Sequence, residues 1–516
     1  MHLLKKYIAV SVIIASLTSA LKADVSLPNI FGNHMVLQRD QANPVWGKAD
    51  PGEKITVTIG DQSHSTFADA DGKWRVTIDP LKVGGPYELV VSGNNEIRFE
   101  DVLAGEVWLC SGQSNMQWSV KLSNNAELEI VSANYPQIRL ISVPQVASQT
   151  PKENFNGKWS ICSPDTVADF SAVGYFFGRR IHNTLGVPVG LIDNAWGGSA
   201  AEAWIPRDIL EADPRYSQLL EKWDTRAAEY TDEIHEQKVA EYKAKVREWE
   251  DQGKQGGRPR GPRDPRKNQQ RPANLYNGVL SPTIGYGIRG TIWYQGEANT
   301  GRAYQYRHTF PLMIETWRNE WGQGDFPFYW VQLADFKEES DVPRESHWAE
   351  LREAQTMTMD VVSNGGEAVI IDAGEGRDIH PRDKQTVANR LARWALANDY
   401  GYDIDFQSPR YSNMEIDGNT VTLTFDHVSN GGLYSFDVKE PRGFAIAGED
   451  KKFVWAEAKI NGKNQVIVTS EAVAEPVSVR YNWDINPIGN LYDRNGLAVT
   501  PFRTDDWPGV TINNVK

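Results

Sequence analysis

The chain has 516 residues, which exceeds one ordinary domain and indicates two or three. Hydrophobic residues make up 40% of it and charged residues 24%, as is usual for a folded soluble protein. The net charge of −14 argues against a nucleic-acid partner, because phosphate recognition needs a basic surface.

The N-terminus has the pattern of an export signal. Lys5 and Lys6 precede the apolar stretch Tyr7–Leu17, and small residues follow. This predicts a signal peptide over residues 1–23 and a periplasmic or extracellular protein. The apolar run is shorter than a membrane span needs, so no span is expected.

Residues 24–102 show the pattern of a small β-sandwich. Short apolar runs alternate with turn signals rich in Gly, Pro and Asp. The predicted strands are Lys54–Ile59, Trp74–Ile78 and Tyr87–Val91.

From 103 to 400, short apolar runs alternate with helical segments, which predicts an α/β domain built on a parallel sheet. The predicted helices include Gly174–Thr184 and Thr386–Asn398. The predicted strands are Glu106–Cys110, Val189–Asp193, Gly290–Tyr294, Phe328–Leu333 and Ala368–Asp372. In such folds ligands bind at the carboxyl ends of the strands, and each unusual polar motif of the chain follows one of these strands.

Residues 210–272 interrupt this pattern as an insertion. Apolar residues from Leu219 to Trp249 recur every three to four positions, which predicts a long amphipathic helix or a helix pair. The basic, Gly- and Pro-rich tract Lys254–Arg271 is predicted to be a mobile loop rather than an anion site. After 401 the β pattern returns, with predicted strands Val421–Phe425, Gly443–Ala447, Val466–Thr469 and Val477–Tyr481.

Two motifs carry candidate catalytic groups. Ser114 lies between a strand and a predicted helix, where N–H groups could stabilise an oxyanion, although a helix cap would explain the same residue. Asp378 and His380 lie in a Gly-rich loop after a strand, as a base and its orienting acid would, or as a surface ion pair. Among the other histidines, His308 and His347 stay open as bases.

Two further motifs could complete a site. Gly197 and Gly198 expose backbone N–H groups that could bind an oxyanion, unless they form an ordinary turn. The loop 293–299 offers side-chain amides as donors and Glu297 as an orienting group, unless it is only a polar loop.

Together these motifs resemble the sialate O-acetylesterase family of SGNH hydrolases. The matching stretches are GEVWLCSGQSNMQW at 105–118, NAWGGSAAEAW at 194–204, LYNGVLSP at 275–282, GTIWYQGEAN at 290–299, LREAQ at 351–355, DIHP at 378–381 and NPIGNLYDRNGLAVTPFRTDDW at 486–507. The resemblance implies a flavodoxin-like SGNH-hydrolase domain with a parallel sheet, flanked by β-rich, sandwich-like N- and C-terminal regions. It also implies hydrolysis of acetyl esters on sialic acids or related sugars. The sequence has no closely spaced His, Cys and Asp ligand set of the metalloenzyme kind, so no metal or cofactor is expected.

Carried over by position, the resemblance implies a role for each motif. Ser114 is the nucleophile, His380 the base and Asp378 its partner. The expected oxyanion donors are the Ser114 N–H, Gly197 or Gly198, and a side-chain amide, with Gln295 favoured over Asn299. The third block of the wider superfamily is G-x-N-D, whereas this chain has Gly296-Glu297-Ala298-Asn299, which leaves that donor open. The predicted substrate contacts are Gln113, Trp196, Trp293 and Glu297.

Three alternatives remain at this stage. The sugar could be acetylated xylan or another polysaccharide rather than sialic acid. A carbohydrate-binding protein without activity could share the fold. A glycoside hydrolase could use Glu297, Asp378 and Asp372 as paired carboxylates, but Ser114 would then have no role. Oligomeric state is left open.

Overall fold

The computed structural model describes residues 24–516, so the predicted signal peptide at 1–23 lies outside the described residues. The first part of the chain is all-β, as predicted. Successive side chains along Lys54–Ile59 point to opposite faces of the strand, so that Ile55, Val57 and Ile59 lie in the core. The strands are β1 (Val36–Gln38), β2 (Asn43–Lys48), β3 (Lys54–Ile59), β4 (Gln62–Phe67), β5 (Lys73–Ile78), β6 (Gly84–Ser92) and β7 (Glu96–Gly112).

The long strand β7 connects the N-terminal region to the central sheet. Its first half pairs antiparallel with β6, and its second half pairs in parallel with strands of the central sheet. The boundary expected at 102/103 therefore falls inside one continuous strand, and the division of the chain at 102 and 400 stays a prediction.

The middle of the chain is an α/β unit. Its strands are β8 (Tyr135–Ser142), β9 (Ser160–Cys162), β10 (Val189–Asp193), β11 (Gly290–Tyr294), β12 (Phe328–Val331) and β13 (Gly365–Ala368). Its helices are α1 (Ser114–Gln117), α2 (Ala126–Val131), α3 (Pro164–Val167), α4 (Ala172–Leu185), α5 (Arg207–Glu211), α6 (Ser217–Ala228), α7 (Asp232–Asp251), α8 (Ala303–Trp321), α9 (His347–Thr358) and α10 (Lys384–Asn398). The sheet order is β13-β12-β11-β7-β10-β8-β9, parallel except for the edge strand β9.

Alternate residues of the central strands face two separate cores. Trp108 and Cys110 pack with α4 and α10 on one face, whereas Val107 and Leu109 belong to the core that contains α8 and α9. Every residue of β10 and β11 is buried, as expected of parallel strands covered on both faces. The fold class predicted from the sequence is confirmed.

The predicted bounds of the strand Ala368–Asp372 are wrong. The strand is Gly365–Ala368, and it begins with two glycines that give no hydrophobic signal. A β-carbon at Gly366 would lie 2.4 Å from the ring of Trp394, so the absence of a side chain there makes room for the helix packed on the sheet.

The insertion contains a helix pair, α6 and α7. The side chains of α6 are partly buried, but no residue of α7 is buried. The tract 254–271 has little regular structure, and its mobility stays a prediction.

The C-terminal region returns to antiparallel β structure, as predicted. Its strands are β14 (Arg410–Asp417), β15 (Thr420–Asp426), β16 (Leu433–Ser435), β17 (Phe444–Ala447), β18 (Val454–Trp455), β19 (Glu457–Asn461), β20 (Gln465–Thr469), β21 (Ser478–Tyr481), β22 (Leu491–Asp493) and β23 (Phe502–Arg503). Within residues 24–516, no helix has the length and apolar character needed to cross a membrane. Cys110 and Cys162 are buried free thiols.

Candidate active site

The turn after β7 brings Ser114 to the carboxyl edge of the sheet. Gly112 has a φ of +136°, and a β-carbon there would lie 2.2 Å from the Tyr294 carbonyl oxygen, so only glycine allows this approach. The Gln113 N–H donates to that carbonyl over 2.9 Å. Ser114 then opens α1 as a partly exposed residue.

The loop after β10 lies directly against Ser114. A β-carbon added to Gly197 would be 3.2 Å from Ser114 Cβ. The Gly197 N–H donates to Oε1 of the exposed Gln117 over 2.8 Å. The Ser114 N–H has no acceptor among residues 24–516. Two backbone donors therefore lie beside the serine, one free and one held by a flexible side chain.

Asp378 and His380 pair with each other in the loop before α10. Asp378 Oδ1 lies 3.3 Å from His380 Nδ1 and accepts the His380 backbone N–H over 2.9 Å. The His380 ring stacks on Trp118, with ring centroids 4.8 Å apart. Partial burial lowers the pKa of His380 below its ordinary value, and the Asp378 carboxylate opposes that shift. The lowered pKa favours the neutral imidazole, which is the form that can accept a proton.

A hydrogen-bonded cluster joins the serine motif to the histidine loop. Asn115 Nδ2 donates to the Ile379 carbonyl over 2.9 Å, across 264 residues of chain, and to Glu297 Oε1 over 2.6 Å. Lys384 Nζ donates to Asn115 Oδ1 over 2.6 Å. The neighbours of Ser114 and of His380 are thus tied together. The Ser114 hydroxyl itself forms no hydrogen bond within the described chain, a looseness common in unliganded catalytic sites.

The cluster has two charged members, the fully buried Lys384 and the partly buried Glu297. Lys384 is the first residue of α10, which Asp383 caps by accepting the Thr386 N–H. Burial lowers the pKa of Lys384 to about 7. Burial also raises the pKa of Glu297, whose Oε2 is buried without a hydrogen-bond partner among the described residues. This carboxylate faces the cluster, which argues against its predicted contact with substrate.

The structure argues against both amides predicted as oxyanion donors. Gln295 Nε2 donates to the Ser199 carbonyl over 3.0 Å and to Asn299 Oδ1 over 2.8 Å. Asn299 Nδ2 in turn donates to both carboxylate oxygens of Glu202. Burial opposes ionisation of Glu202, yet the Arg302 charge and the Asn299 amide hold its pKa below the ordinary value. Both amides therefore belong to a buried polar network beneath the site.

Gln113 differs from Gln295 and Asn299 because its side-chain amide nitrogen is free to donate. Its Oε1 accepts weak hydrogen bonds of 3.4 Å from the N–H groups of Gly296 and Ala298. Its Nε2 has no acceptor within residues 24–516 and is not among the buried unpaired atoms. The side-chain amide that was predicted in the loop 293–299 is thus available at Gln113, next to Ser114.

The two tryptophans that were predicted to contact substrate differ in their exposure. Trp293 is fully buried and packs edge-on against Trp204 and Trp317, which argues against its predicted contact with substrate. The strand pattern explains this, since Trp293 points into one core while the loop begins two residues later. Trp196 is partly exposed beside Gly197 and remains a candidate.

The end of the insertion also reaches the site. Gln269 Nε2 lies 3.0 Å from the position that a β-carbon of Gly198 would take, and Gln270 Nε2 donates to the Gly198 carbonyl over 3.1 Å. These residues were not predicted from the sequence, and neither were the parts played by Asn115 and Lys384. Asn115 could have been found from its place beside Ser114, but nothing local marks Lys384 or Gln269.

The other candidate groups lie elsewhere. His308 is influenced by the charges of Arg215 and Asp213, and His347 lies at the start of α9 beside Lys337. The Asp372 carboxylate, considered for a glycosidase, pairs with the Arg390 guanidinium over 2.5 and 2.8 Å.

Comparison with known proteins decides the family. The model of the family described as carbohydrate esterase, sialic acid-specific acetylesterase matches residues 104–246 and 268–384, which include every motif of this site. The chain belongs to this family. It is accordingly an acetylesterase of the carbohydrate esterase class.

Similar proteins extend the match over nearly the whole chain. The sialate O-acetylesterase of Mus musculus is 30% identical over 93% of this chain and 93% of its own length, and that of Homo sapiens is 29% identical over 94% of each. The crystal structure of a carbohydrate acetylesterase from Xanthomonas citri superposes with a TM-score of 0.80 at 36% identity, covering 94% of this chain and 100% of that one.

Proposed function

We propose that this carbohydrate esterase removes O-acetyl groups from sialic acids or closely related sugars, with Ser114, His380 and Asp378 as its catalytic triad. The observation that carries the proposal is a pair of contacts between the segment that follows the serine and the loop of His380. Asn115 holds the Ile379 carbonyl, and Trp118 stacks on the His380 ring.

The roles of the triad follow from which atoms are already engaged. His380 Nδ1 faces Asp378, which leaves Nε2 to accept the Ser114 proton. Ser114 Oγ attacks the acetyl carbonyl, and His380 then gives the proton to the departing sugar hydroxyl. Water, deprotonated by the same imidazole, next cleaves the acetyl-enzyme to acetate and free serine.

The oxyanion of each tetrahedral intermediate needs donors that are in place beforehand. We assign this role to the N–H groups of Ser114 and Gly197 and to Gln113 Nε2. The Gly197 N–H is held by Gln117 Oε1, so the substrate oxygen would displace that exposed side chain. Gln295 and Asn299 would support this arrangement from below through their network with Glu202.

Sialic acid is proposed as the sugar because of the family and its mammalian members, and acetylated xylan stays the second candidate. We also propose that residues 1–23 direct export and are removed. N-terminal sequencing of the protein recovered outside the cytoplasm tests that point, and a mature chain that begins at Met1 would refute it.

The experiment that tests the function measures acetate release. O-acetylated N-acetylneuraminic acid, acetylated xylan and acetylated pectin are compared for the parent chain, Ser114→Ala and the exposed control Ser132→Ala. We expect fastest release from the sialic acid, with a loss of activity only in Ser114→Ala. Faster release from xylan would overturn the proposed sugar but not the triad, whereas full activity in Ser114→Ala would overturn the triad.

A further inference from the structure

A cavity of about 540 Å³ lies where the N-terminal β region meets the α/β unit. Its walls come from residues 26–28, 46–48, 69, 73–75, 152–154, 281, 282 and 284. The volume is within the range of small-ligand sites, about 300–1,000 Å³. No residue of the candidate active site lines it, so it is a separate feature of the molecule.

Two tryptophans form the aromatic part of this cavity. Trp46 is half-buried and is fixed by an edge-on contact with Phe31, with ring centroids 4.7 Å apart. Trp74 is 3% exposed, and its indole N–H has no hydrogen-bond partner among the described residues. Because the indole nitrogen is itself inaccessible, Trp74 forms part of the wall of the cavity.

The charged groups around the tryptophans are mostly basic. Glu153 already pairs with Lys48 over 2.5 Å and with Lys73 over 3.0 Å. Within residues 24–516, the side chains of Arg75 and Lys152 form neither an ion pair nor a hydrogen bond.

The Arg75 guanidinium lies 5.9 Å from the centre of the Trp46 ring, and both line the cavity. A free planar guanidinium suits a carboxylate, which it can bind through two parallel hydrogen bonds. An aromatic face suits the C–H face of a sugar ring by apolar contact.

We infer that this cavity is an accessory binding site for a saccharide that carries a carboxylate, such as a sialic or uronic acid. The carboxylate pairs with Arg75 and Lys152, and the sugar ring packs on Trp46. Such a site holds an acidic glycan on the enzyme away from the reacting ester. It does not depend on the identity of the catalytic residues.

Isothermal titration of the full chain carrying Ser114→Ala tests this site without turnover. The probes are N-acetylneuraminate and galacturonate, with the methyl ester of each as the uncharged control. We expect millimolar or tighter binding of at least one acid, weakened at least fivefold by Arg75→Gln and by Trp46→Ala. The exposed control Arg258→Gln, outside the cavity, should bind as the Ser114→Ala parent does.

The same two substitutions in the catalytically active chain distinguish binding in the cavity from binding at the active site. Arg75→Gln and Trp46→Ala should hydrolyse p-nitrophenyl acetate at the parent rate, which also shows that they fold. The proposal is overturned if neither acid binds, if the methyl esters bind as tightly as the acids, or if both cavity variants bind the acids as tightly as the parent.

Discussion

The buried amine of Lys384 gives the most informative perturbation of the site. Its Nζ donates to Asn115 Oδ1 over 2.6 Å, and burial lowers its pKa from 10.5 to about 7. At about 1.4 kcal/mol per pH unit, this fall corresponds to about 5 kcal/mol that disfavours the charged amine in the folded protein. Because the folded-state pKa is the lower one, the cost is full below pH 7 and disappears as the pH rises toward 10.5.

Replacement of Lys384 by methionine removes that cost but takes one stabilising interaction from each of two neighbouring groups. Asn115 Oδ1 loses its donor, and the Glu297 carboxylate loses a neighbouring cation. An uncompensated buried charge costs about 3–5 kcal/mol. We therefore expect Lys384→Met to change the free energy of unfolding at pH 7 by no more than about 2 kcal/mol.

The double variant Lys384→Met/Glu297→Gln distinguishes the effect of the buried charge on stability from the effect of Lys384 on the position of Asn115. It contains no buried charge at this point, so it should be about 1–4 kcal/mol more stable than the single variant. Burial raises the pKa of Glu297 above its ordinary value of 4.5, so the single variant loses stability as the pH rises above 4.5, and the difference between the two variants should grow in the same direction.

Activity should not follow stability. Both variants loosen Asn115 and, through the Ile379 carbonyl, the loop of His380. A displacement of about 1 Å at a catalytic group can cost about a hundredfold in rate, so kcat on p-nitrophenyl acetate should fall 10- to 100-fold in both, with little change in KM. Urea unfolding and steady-state kinetics measure the two quantities. Full parental kcat in the double variant would refute the positioning role.

Three further predictions concern individual side chains. Asp378→Ala should lower kcat by about two to four orders of magnitude. It should also move the acidic limb of the kcat/KM profile to lower pH, because Asp378 raises the pKa of His380. An acidic limb that does not move would contradict the pairing of Asp378 with His380. Gln113→Ala should lower kcat by about two to three orders of magnitude with unchanged unfolding free energy, whereas an unchanged kcat would exclude its amide from the oxyanion site. Gln269→Ala should lower kcat/KM for acetylated sugars more than for p-nitrophenyl acetate, and an equal effect on both would remove it from sugar recognition.

The positions of the site loops could be predicted from the sequence because parallel strands end at one edge of a sheet. Short apolar runs identified β7, β10 and β11, and the motifs after them meet at that edge. Only the last strand was displaced, because Gly365 and Gly366 give no hydrophobic signal.

The direction of the side chains could not be predicted in the same way. Gln113 and Gln295 both follow a strand, yet Gln295 turns inward to Asn299, while Gln113 keeps a free amide. The difference depends on Glu202, a buried partner that no local pattern connects with Asn299. Lys384 was missed for the same reason, since its partner Asn115 lies 269 residues earlier in the chain.

The central claim is that Ser114 carries the acetyl group between the two steps. The direct measurement is mass spectrometry of the enzyme quenched in acid during turnover of p-nitrophenyl acetate, followed by proteolysis. We expect an acetyl group on the peptide that contains Ser114, and none on that peptide in Ser114→Ala. An acetyl group found on another residue, or undiminished turnover in Ser114→Ala, would contradict the account.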